Sequence, residues 1–375
     1  MKRIGFISEP IENPRLCVSP STVEKLLRKF AVEVYVERKI GSGLGINDSE
    51  FTEAGAKVVS REDVLHECDL LSFVEPPEVD LQALNNKVLI GMMNPLDPTV
   101  SMDDFLYKNI SVFSIDLVPR TSRAQTMDVR SSLSSLAGYR AVIKSADIFG
   151  SVFPMMSSAA GTLKPARVLV LGAGVAGLQA IATAKRLGAI VEAFDVRIAA
   201  KEQVESLGAK FIRVESATED ASAGGYAIEQ TDEYKLRQQA VLAERIKGAD
   251  IVICTANVPG KKAPVLISTD HVETMASGSV IVDIASVNGG NCELTQDGRM
   301  VMHNGVSILG AGHITKEGAV AASRLLAENY YSFLEYFIVN HEIATDEIIK
   351  SCKLIERGNP VHSMFKKTEQ WKVLA

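Results

Sequence analysis

The sequence predicts an α/β protein of two domains, each a doubly wound parallel sheet, joined by long helices. Short apolar runs alternate with amphipathic helical patterns along most of the chain, which is the rhythm of βαβ units. The 375 residues exceed what one hydrophobic core usually organises. A long helical pattern from about residue 125 to 149 separates two such series, and we interpret it as the crossing between domains.

The first series covers residues 1 to about 120. Its predicted strands are Arg3–Ile7, Val32–Val36, Asp69–Val74, Lys87–Met92 and Ser111–Ile115, with predicted helices at Ser21–Lys29 and Asp48–Ala54. From Thr315 to the end the pattern is helical, and this tail is too short for a third core. We therefore expect a first domain made of residues 1–127 and 318–375.

The second series forms a predicted domain over residues 128–317. Its strands are Ala166–Leu171, Ile190–Phe194, Lys210–Val214, Asp250–Thr255, Ser279–Ile284 and Val306–Leu309. Two segments interrupt the series. Ser151–Lys164 has strand-like ends around a small-residue turn and predicts a projecting hairpin within 151–166, whereas the polar stretch Glu215–Glu233 predicts a mobile loop.

Composition and charge exclude several classes of protein. With 46% hydrophobic and 23% charged residues the chain is not disordered, and a net charge of -6 argues against nucleic acid as a partner. The five scattered cysteines are expected to be reduced core thiols. No apolar run is long enough to span a membrane, so we expect no direct membrane insertion. None of the six histidines has metal-ligand spacing, so we expect no metal site.

A glycine-rich turn joins a buried strand to an amphipathic helix near the middle of the chain. Gly172, Gly174 and Gly177 form a GxGxxG motif directly after the apolar run 167–171. The first glycine permits a tight turn, the second lets the backbone approach a pyrophosphate, and the third allows the helix to pack on the strand. The second domain is therefore expected to bind a dinucleotide. The βαβ series of both domains are expected to be Rossmann-like.

The acid that ends the next strand favours one dinucleotide over another. Asp195 follows the glycines by about 20 residues, where a carboxylate accepts hydrogen bonds from the adenosine ribose. A 2′-phosphate beside it would suffer like-charge repulsion, so NAD(H) is favoured over NADP(H). Arg197 leaves NADP(H) open as an alternative, because an arginine there can hold a phosphate.

Several segments resemble the NAD(H)-binding domain of proton-translocating nicotinamide nucleotide transhydrogenases. They are Val118–Asp128, Leu136–Arg140, Ala159–Thr162, the glycine motif, Ala200–Gly208, Gly224–Ala227 and Pro259–Ile267. The resemblance covers roughly residues 1 to 315, and the tail after Ala311 departs from the family pattern. It implies a Re/Si-specific, proton-translocating NAD(P)+ transhydrogenase that is active only with a partner component.

The resemblance also implies roles for individual residues. Arg120, Gln125 and Asp128 would be the catalytic set, forming with Ser131 a loop over the nicotinamide end of the cofactor. The polar side chains of this set suit a carboxamide or ribose, although capping of the interdomain helix is the alternative. The remaining expected cofactor-binding residues are Gly172, Gly174, Val175, Gly177, Asp195, Val196, Arg197, Gly225, Tyr226, Gln238, Ala256 and Asn257.

Alanine dehydrogenases share this fold and provide the main alternative function. They require an arginine for the substrate carboxylate, a lysine, a histidine and an aspartate. Arg15 matches the arginine, but Phe73, Asn94 and Val287 stand at the other positions. None of these three side chains can exchange a proton near neutral pH, as oxidation of an amino acid requires. Hydride transfer between two nicotinamide rings needs positioning instead, so transhydrogenation is favoured. Arg15 then remains as a structural ion-pair residue.

A third hypothesis is an NAD(H)-binding module without turnover, which would not need the polar set around Gln125. The transhydrogenase resemblance implies NADP(H) only on a partner component, and a membrane proton-channel subunit as a second partner. It implies a cytoplasmic chain, peripheral on the inner face of the inner membrane. We expect a homodimer through the hairpin, because Phe153, Met155 and Met156 would otherwise leave an exposed apolar patch.

Overall fold

A computed structural model describes residues 2–77, 84–97, 100, 102, 105–106, 109–214, 231–258, 260–343 and 345–366. Its strands are β1 (Arg3–Phe6), β2 (Glu33–Glu37), β3 (Lys57–Val59), β4 (Leu70–Ser72), β5 (Val88–Gly91), β6 (Ser111–Ser114), β7 (Met156–Ser158), β8 (Gly161–Leu163), β9 (Arg167–Leu171), β10 (Ile190–Phe194), β11 (Lys210–Ile212), β12 (Ile251–Cys254), β13 (Val280–Asp283), β14 (Met300–His303), β15 (Val306–Gly310), β16 (Lys353–Glu356) and β17 (Asn359–Pro360). The α-helices are α1 (Pro20–Lys29), α2 (Asp48–Glu53), α3 (Arg61–Glu67), α4 (Val129–Ile148), α5 (Val175–Arg186), α6 (Ala200–Ser206), α7 (Asp232–Lys247), α8 (Thr269–Glu273), α9 (Ile314–Glu317), α10 (Ala319–Asn340) and α11 (Glu347–Cys352).

The chain forms two compact units. Met1–Ser132 and Ala319–Ala375 make up the first unit, and Leu133–Gly318 makes up the second. The first boundary falls inside α4, and the second coincides with the start of α10. None of the helices that the structure describes is both long and apolar enough to cross a membrane.

The first unit contains an eight-stranded sheet in the order β17-β16-β6-β5-β4-β1-β2-β3. The strands from β1 to β6 run parallel, whereas β16 is antiparallel to β6 and β17 is antiparallel to β16. From β1 the chain winds outward in both directions, to β2 on one side and to β4 on the other. The switch point between β1 and β4 is where open α/β sheets bind ligands.

The second unit contains a seven-stranded sheet in the order β11-β10-β9-β12-β13-β15-β14. All its neighbouring strands are parallel except β14, which pairs antiparallel with β15 at the edge. The switch point lies between β9 and β12, and the glycine motif begins directly after β9. These two sheets confirm the predicted doubly wound α/β class.

Strand β9 is apolar after its first residue because helices cover both of its faces. Val168 and Val170 pack into a core with Ala180 and Ile181 of α5. Leu169 and Leu171 point to the opposite face and pack with residues of α7, among them Leu242 and Ile246. Alternate side chains of the strand therefore pack into two separate cores, one on each face of the sheet. Such burial on both faces holds the carboxyl end of β9, and the turn that follows it, in place.

The prediction that the chain is helical from Thr315 to its end is wrong. After α10 and α11 the segment Lys353–Glu356 forms β16, with Leu354 and Ile355 fully buried. It pairs with β6, about 240 residues earlier, and extends the first sheet. Four residues are too few to show the alternation of polar and apolar residues that marks a strand. The partner strand is also too distant in sequence to indicate the pairing. The sequence patterns do not predict β3 and β14 either.

The hairpin is present, but one of its predicted exposed residues is not exposed. Strands β7 and β8 pair antiparallel, and Met155, Met156 and Leu163 are 66%, 51% and 52% exposed. Phe153 is instead buried in the core of the second unit, where its carbonyl oxygen accepts a hydrogen bond from the backbone N–H of Ala166. Phe153 precedes the first strand of the hairpin and packs into the core. The exposed patch therefore consists of Met155, Met156 and Leu163.

Two other predicted segments begin or end differently. The predicted helix from residue 125 starts as a 3-10 helix at Ser122–Met127, and α4 itself begins at Val129. Residues 215–230 of the predicted mobile loop lie outside the described residues. Its last residues belong to α7, which is capped by the side chain of Thr231. All five cysteines are buried and unpaired, as expected for core thiols.

Candidate dinucleotide-binding site

The turn after β9 has a backbone geometry that requires glycine at two positions. Gly172 has a φ of +96°, which side-chain-bearing residues rarely adopt. A Cβ on Gly177 would lie 1.8 Å from the carbonyl oxygen of Gly172, so α5 packs directly on the turn. Gly174 is the N-cap of α5, and a Cβ there would meet nothing within 4 Å. The space at Gly174 is therefore open at the positive end of the helix dipole, where anions bind.

Asp195 lies against this turn. Its Oδ2 accepts a hydrogen bond from the backbone N–H of Ala173 at 2.7 Å. The guanidinium of Arg197 forms a bidentate pair with the same carboxylate, with Nε 2.9 Å from Oδ1 and Nη2 2.7 Å from Oδ2. The hydrogen bonds to Asp195 raise the pKa of Arg197. The acid is thus where the sequence predicts it, and the neighbouring arginine is bound to it.

A polar network that the sequence patterns do not predict holds the loop after β12 beside the glycine turn. Asn291 is fully buried, and its side chain accepts from the N–H of Ala256 at 2.9 Å and donates to the carbonyl oxygens of Ala256 and Pro264 at 2.8 and 2.9 Å. Thr255 completes the contact by donating to the carbonyl oxygen of Gly172 at 2.9 Å. Ala256, an expected cofactor-binding residue, is therefore held next to the first glycine of the motif.

Asp283 at the end of β13 holds the backbone of Asn291, the central residue of this network. Its carboxylate accepts hydrogen bonds from the backbone N–H groups of Ala285, Asn291 and Cys292 and from the hydroxyl of Thr295. Burial raises the pKa of Asp283 against the opposing effect of these donors. A charged residue at the end of the apolar run 280–283 was the available sequence signal, because a buried acid requires several donors.

The other expected residues of the second unit occupy different positions. Val175 is exposed at the first turn of α5, Val196 packs partly against a core, and the side-chain oxygen of Asn257 accepts from Asn288 at 3.0 Å. Gln238 lies on the buried face of α7, one turn beyond Tyr234. Burial and the charge of Asp195 raise the pKa of Tyr234 to about 12. Gly225 and Tyr226 lie outside the described residues.

The polar set predicted near the nicotinamide lies in the first unit. Gln125 and Arg120 are exposed. Asp128 accepts from both the backbone N–H and the hydroxyl of Ser131, at 2.9 and 2.6 Å, and so caps the start of α4. The structure thus brings Asp128 and Ser131 together, in the capping arrangement considered as the alternative, and leaves the side chain of Gln125 at the surface of its unit.

A charged cluster around the buried Arg15 lies at the switch point of the first sheet. Arg15, which is 5% exposed, pairs with Glu75 at 2.5 Å and donates to Asn13 at 2.7 Å. This pair confirms that Arg15 is an ion-pair residue. Glu9 accepts from the backbone N–H groups of Val74 and Glu75 at 2.5 and 2.9 Å. The carboxylates of Glu75 and Glu9 therefore already accept from the guanidinium and backbone N–H donors at this position.

We expect Glu9 to make the first unit less stable as the pH rises. Burial raises the pKa of Glu9 to about 7. Because the folded chain then holds a proton that the unfolded chain releases near its ordinary pKa of about 4.3, the free energy of unfolding should fall between that pH and about 7, by roughly 3 kcal/mol. Urea denaturation of the wild type and Glu9→Gln across this range measures the effect.

The difference in stability between the two proteins isolates Glu9 from the other titrating groups. Any constant offset caused by the amide leaves the pH dependence of that difference unchanged. Parallel curves for wild type and Glu9→Gln would show that Glu9 does not titrate in this range.

The three positions that distinguish alanine dehydrogenases carry no proton-transfer group. Phe73 is fully buried after β4, and Asn94 donates to Asp97 at 3.2 Å with its backbone at a φ of +46°. In the second unit Val287 is 46% exposed within the 3-10 helix Ser286–Asn288. Their side chains are an aromatic ring, an amide and an aliphatic group, so none of the three can serve as an acid or a base.

Comparison with protein families and solved structures identifies relatives over nearly the whole chain. The family described as "Alanine dehydrogenase/PNT, N-terminal domain" matches residues 6–137, and "Alanine dehydrogenase/PNT, C-terminal domain" matches residues 141–363. A Rhodospirillum rubrum protein, named as the first part of NAD(P) transhydrogenase subunit alpha, is 47% identical over 331 residues, which are 85% of this chain and 86% of the relative. The Rickettsia prowazekii protein of the same name is 39% identical over 373 residues, 97% of each chain.

A solved transhydrogenase structure from Sinorhizobium meliloti superposes with a TM-score of 0.86 at 40% identity, covering 96% of this chain and 100% of the other. Alanine dehydrogenases are more distant. The Mycolicibacterium smegmatis enzyme is 30% identical over 310 residues, 80% of this chain and 76% of the relative. These matches confirm the resemblance drawn from the sequence motifs. The chain belongs to the alanine dehydrogenase/PNT family.

Proposed function

We propose that this chain is the NAD(H)-binding component of a proton-translocating transhydrogenase. The observation that carries the proposal is a glycine-turn site in a chain whose dehydrogenase positions hold Phe73, Asn94 and Val287. The relatives at 39 to 47% identity are named as NAD(P) transhydrogenase subunit alpha, and the alanine dehydrogenase is less similar. A site that binds a dinucleotide without acid or base chemistry suits hydride exchange between two nicotinamides.

The residues of the second unit fit the dinucleotide. Open space at Gly174 admits a pyrophosphate to the N–H groups at the start of α5, and the network of Asn291 holds Ala256 beside it. When bound, NADH supplies a hydride from its nicotinamide ring. Asp195 would accept from the adenosine ribose, for which the pairing with Arg197 must exchange at least one of its hydrogen bonds.

The same pair explains the choice of cofactor. A 2′-phosphate would approach a carboxylate whose side chain is only 7% exposed, and a poorly hydrated acid repels an added negative charge strongly. Because Arg197 is already paired with Asp195, it offers a phosphate less than an uncommitted arginine would. We therefore propose that the chain binds NAD(H) and that NADP(H) is bound by a partner component.

In the first unit we propose that Gln125 contacts the nicotinamide end of NAD(H), with Arg120 and Asp128 beside it. An exposed amide can both donate to and accept from a carboxamide. Asp128 would act mainly by fixing the start of α4, since both of its oxygens already bind Ser131. Excluding water and holding the ring in place are then the tasks of the chain, because the transfer itself needs no proton.

The partners follow from this function. One component binds NADP(H), and a membrane subunit couples the reaction to proton movement, so the chain would lie peripherally on the cytoplasmic face of the inner membrane. We also propose a homodimer through the hairpin of β7 and β8. Met155, Met156 and Leu163 expose an apolar patch there, which a second copy would cover.

The deciding experiment is reconstitution. The purified chain should bind NADH in a calorimetric titration, bind NADPH much more weakly, and transfer no hydride to an NADP+ analogue alone. On addition of the NADP(H)-binding component of a related transhydrogenase, stopped-flow absorbance should show transfer. Transfer by the chain alone, oxidation of alanine with NAD+, or tighter binding of NADPH would each contradict the proposal.

A further inference from the structure

The 3-10 helix Ser122–Met127 presents Gln125 from a fixed base. Ala124 and Met127 are 0% and 4% exposed, whereas Gln125 between them is exposed. The turn closes by a hydrogen bond from the N–H of Ala124 to the carbonyl oxygen of Thr121 at 3.0 Å. The buried side chains of Ala124 and Met127 hold the segment against the first unit. Apolar contacts alone do not fix the rotation of so short a helix about its axis.

Helix α10, some 200 residues later in the chain, supplies the directional contact. The side-chain Nδ2 of Asn329 donates to the carbonyl oxygen of Thr126 at 2.7 Å. Thr126 directly follows Gln125, so this bond holds the peptide group between Thr126 and Met127, one residue beyond the functional side chain. A second tie runs from Arg123 to the hydroxyl of Tyr336 at 2.5 Å, on the same helix.

Asn329 is an unusual residue for its position. It is 7% exposed, and α10 buries Leu326 and Tyr330 completely on either side of it. Within the part of the chain that the structure describes, its Oδ1 has no hydrogen-bond partner. An unpaired buried acceptor costs about 1–3 kcal/mol, which offsets the stability that the hydrogen bond from Nδ2 to Thr126 contributes. The Nδ2 group of this amide, which donates to Thr126, is therefore the part that makes a specific contact.

We propose that Asn329 is a positioning residue for the hydride-transfer reaction, which sets the orientation of Gln125 through the carbonyl of Thr126. The inference rests on the proposed function of Gln125. It assigns a role to α10 in the C-terminal region, which the sequence motifs leave outside the resemblance but which the family match to residue 363 includes. The stability of the fold does not require an amide at this position, but the orientation of the segment does.

Asn329→Leu tests this role because it keeps the number and branching of the side-chain heavy atoms and removes both the donor and the unpaired acceptor. We expect an unchanged or higher melting temperature, unchanged NADH affinity, and a transfer rate at saturating NADH about tenfold or more below wild type, since misplacement by about 1 Å can cost about 100-fold. Hydrogen exchange of the backbone amides in 122–127 should quicken. Tyr336→Phe, which removes only the hydroxyl, should show a smaller change in the same direction.

Glu328→Gln is the matched control, since this neighbour on α10 is exposed and its carboxylate pairs with Lys25 at 2.6 Å. It should leave both the amide exchange of 122–127 and the transfer rate unchanged. If Asn329→Leu leaves both quantities at wild-type values, the positioning role is wrong. If wild type shows no transfer with its partner component, the proposed function fails instead, and amide exchange alone still decides whether Asn329 orders the segment.

Discussion

Gly174→Ala should weaken NADH binding roughly 30-fold while leaving the fold intact, and Gly177→Ala should destabilise the fold itself. A Cβ on Gly174 meets nothing within 4 Å, and the backbone there is compatible with any residue at a φ of -77°. The added methyl group stands where the pyrophosphate must approach. An overpacking cost of about 2 kcal/mol corresponds to roughly a 30-fold weaker NADH affinity. The melting temperature without nucleotide should not change.

Gly177→Ala acts differently because its Cβ would lie 1.8 Å from a backbone oxygen of Gly172, which cannot rotate away. Helix α5 must shift, and we expect a loss of about 3 kcal/mol in the free energy of unfolding. Thermal melting without nucleotide and calorimetric titration with NADH separate the two effects. Gly150→Ala is a matched control, since a Cβ there also meets nothing within 4 Å but the residue lies outside the site. Wild-type NADH affinity in Gly174→Ala would place the pyrophosphate elsewhere.

Gln125→Asn should slow hydride transfer by about 100-fold with little effect on NADH affinity. The substitution shortens the side chain by one methylene, and a displacement on the order of 1 Å at a reacting group costs about that factor. Binding should persist because the proposed pyrophosphate and ribose contacts come from Gly174 and Asp195 in the other unit. The measurement is stopped-flow transfer to an NADP+ analogue in the reconstituted system, beside an NADH titration.

Gln203→Asn provides the control for Gln125→Asn, since it makes the same chemical change at an exposed position of α6. Transfer in this control should equal wild type. A transfer rate of Gln125→Asn close to that of wild type would remove Gln125 from the reaction, and a parallel loss of NADH affinity would reassign it to binding.

The candidate dinucleotide site can be recognised in the sequence because its residues are close together along the chain. Gly172, Gly174 and Gly177 lie within six residues, and Asp195 ends the next strand, so their spacing in sequence already implies their geometry. A strand buried on both faces is an apolar run, which identifies the parallel sheets before any contact is known. Fold class and family therefore followed from patterns shorter than one βαβ unit.

Contacts between distant segments become visible only in the folded chain. Asn291 binds Ala256, Asn329 binds Thr126 and β16 pairs with β6, across about 35, 200 and 240 residues. In each case one partner is a backbone group, which every residue carries, so no pairing of side-chain types marks the contact in the sequence. The burial of Phe153 and the raised pKa of Glu9 likewise depend on what surrounds them. Local sequence patterns indicate which chemistry is available, whereas packing selects the backbone atoms that hold those side chains in place.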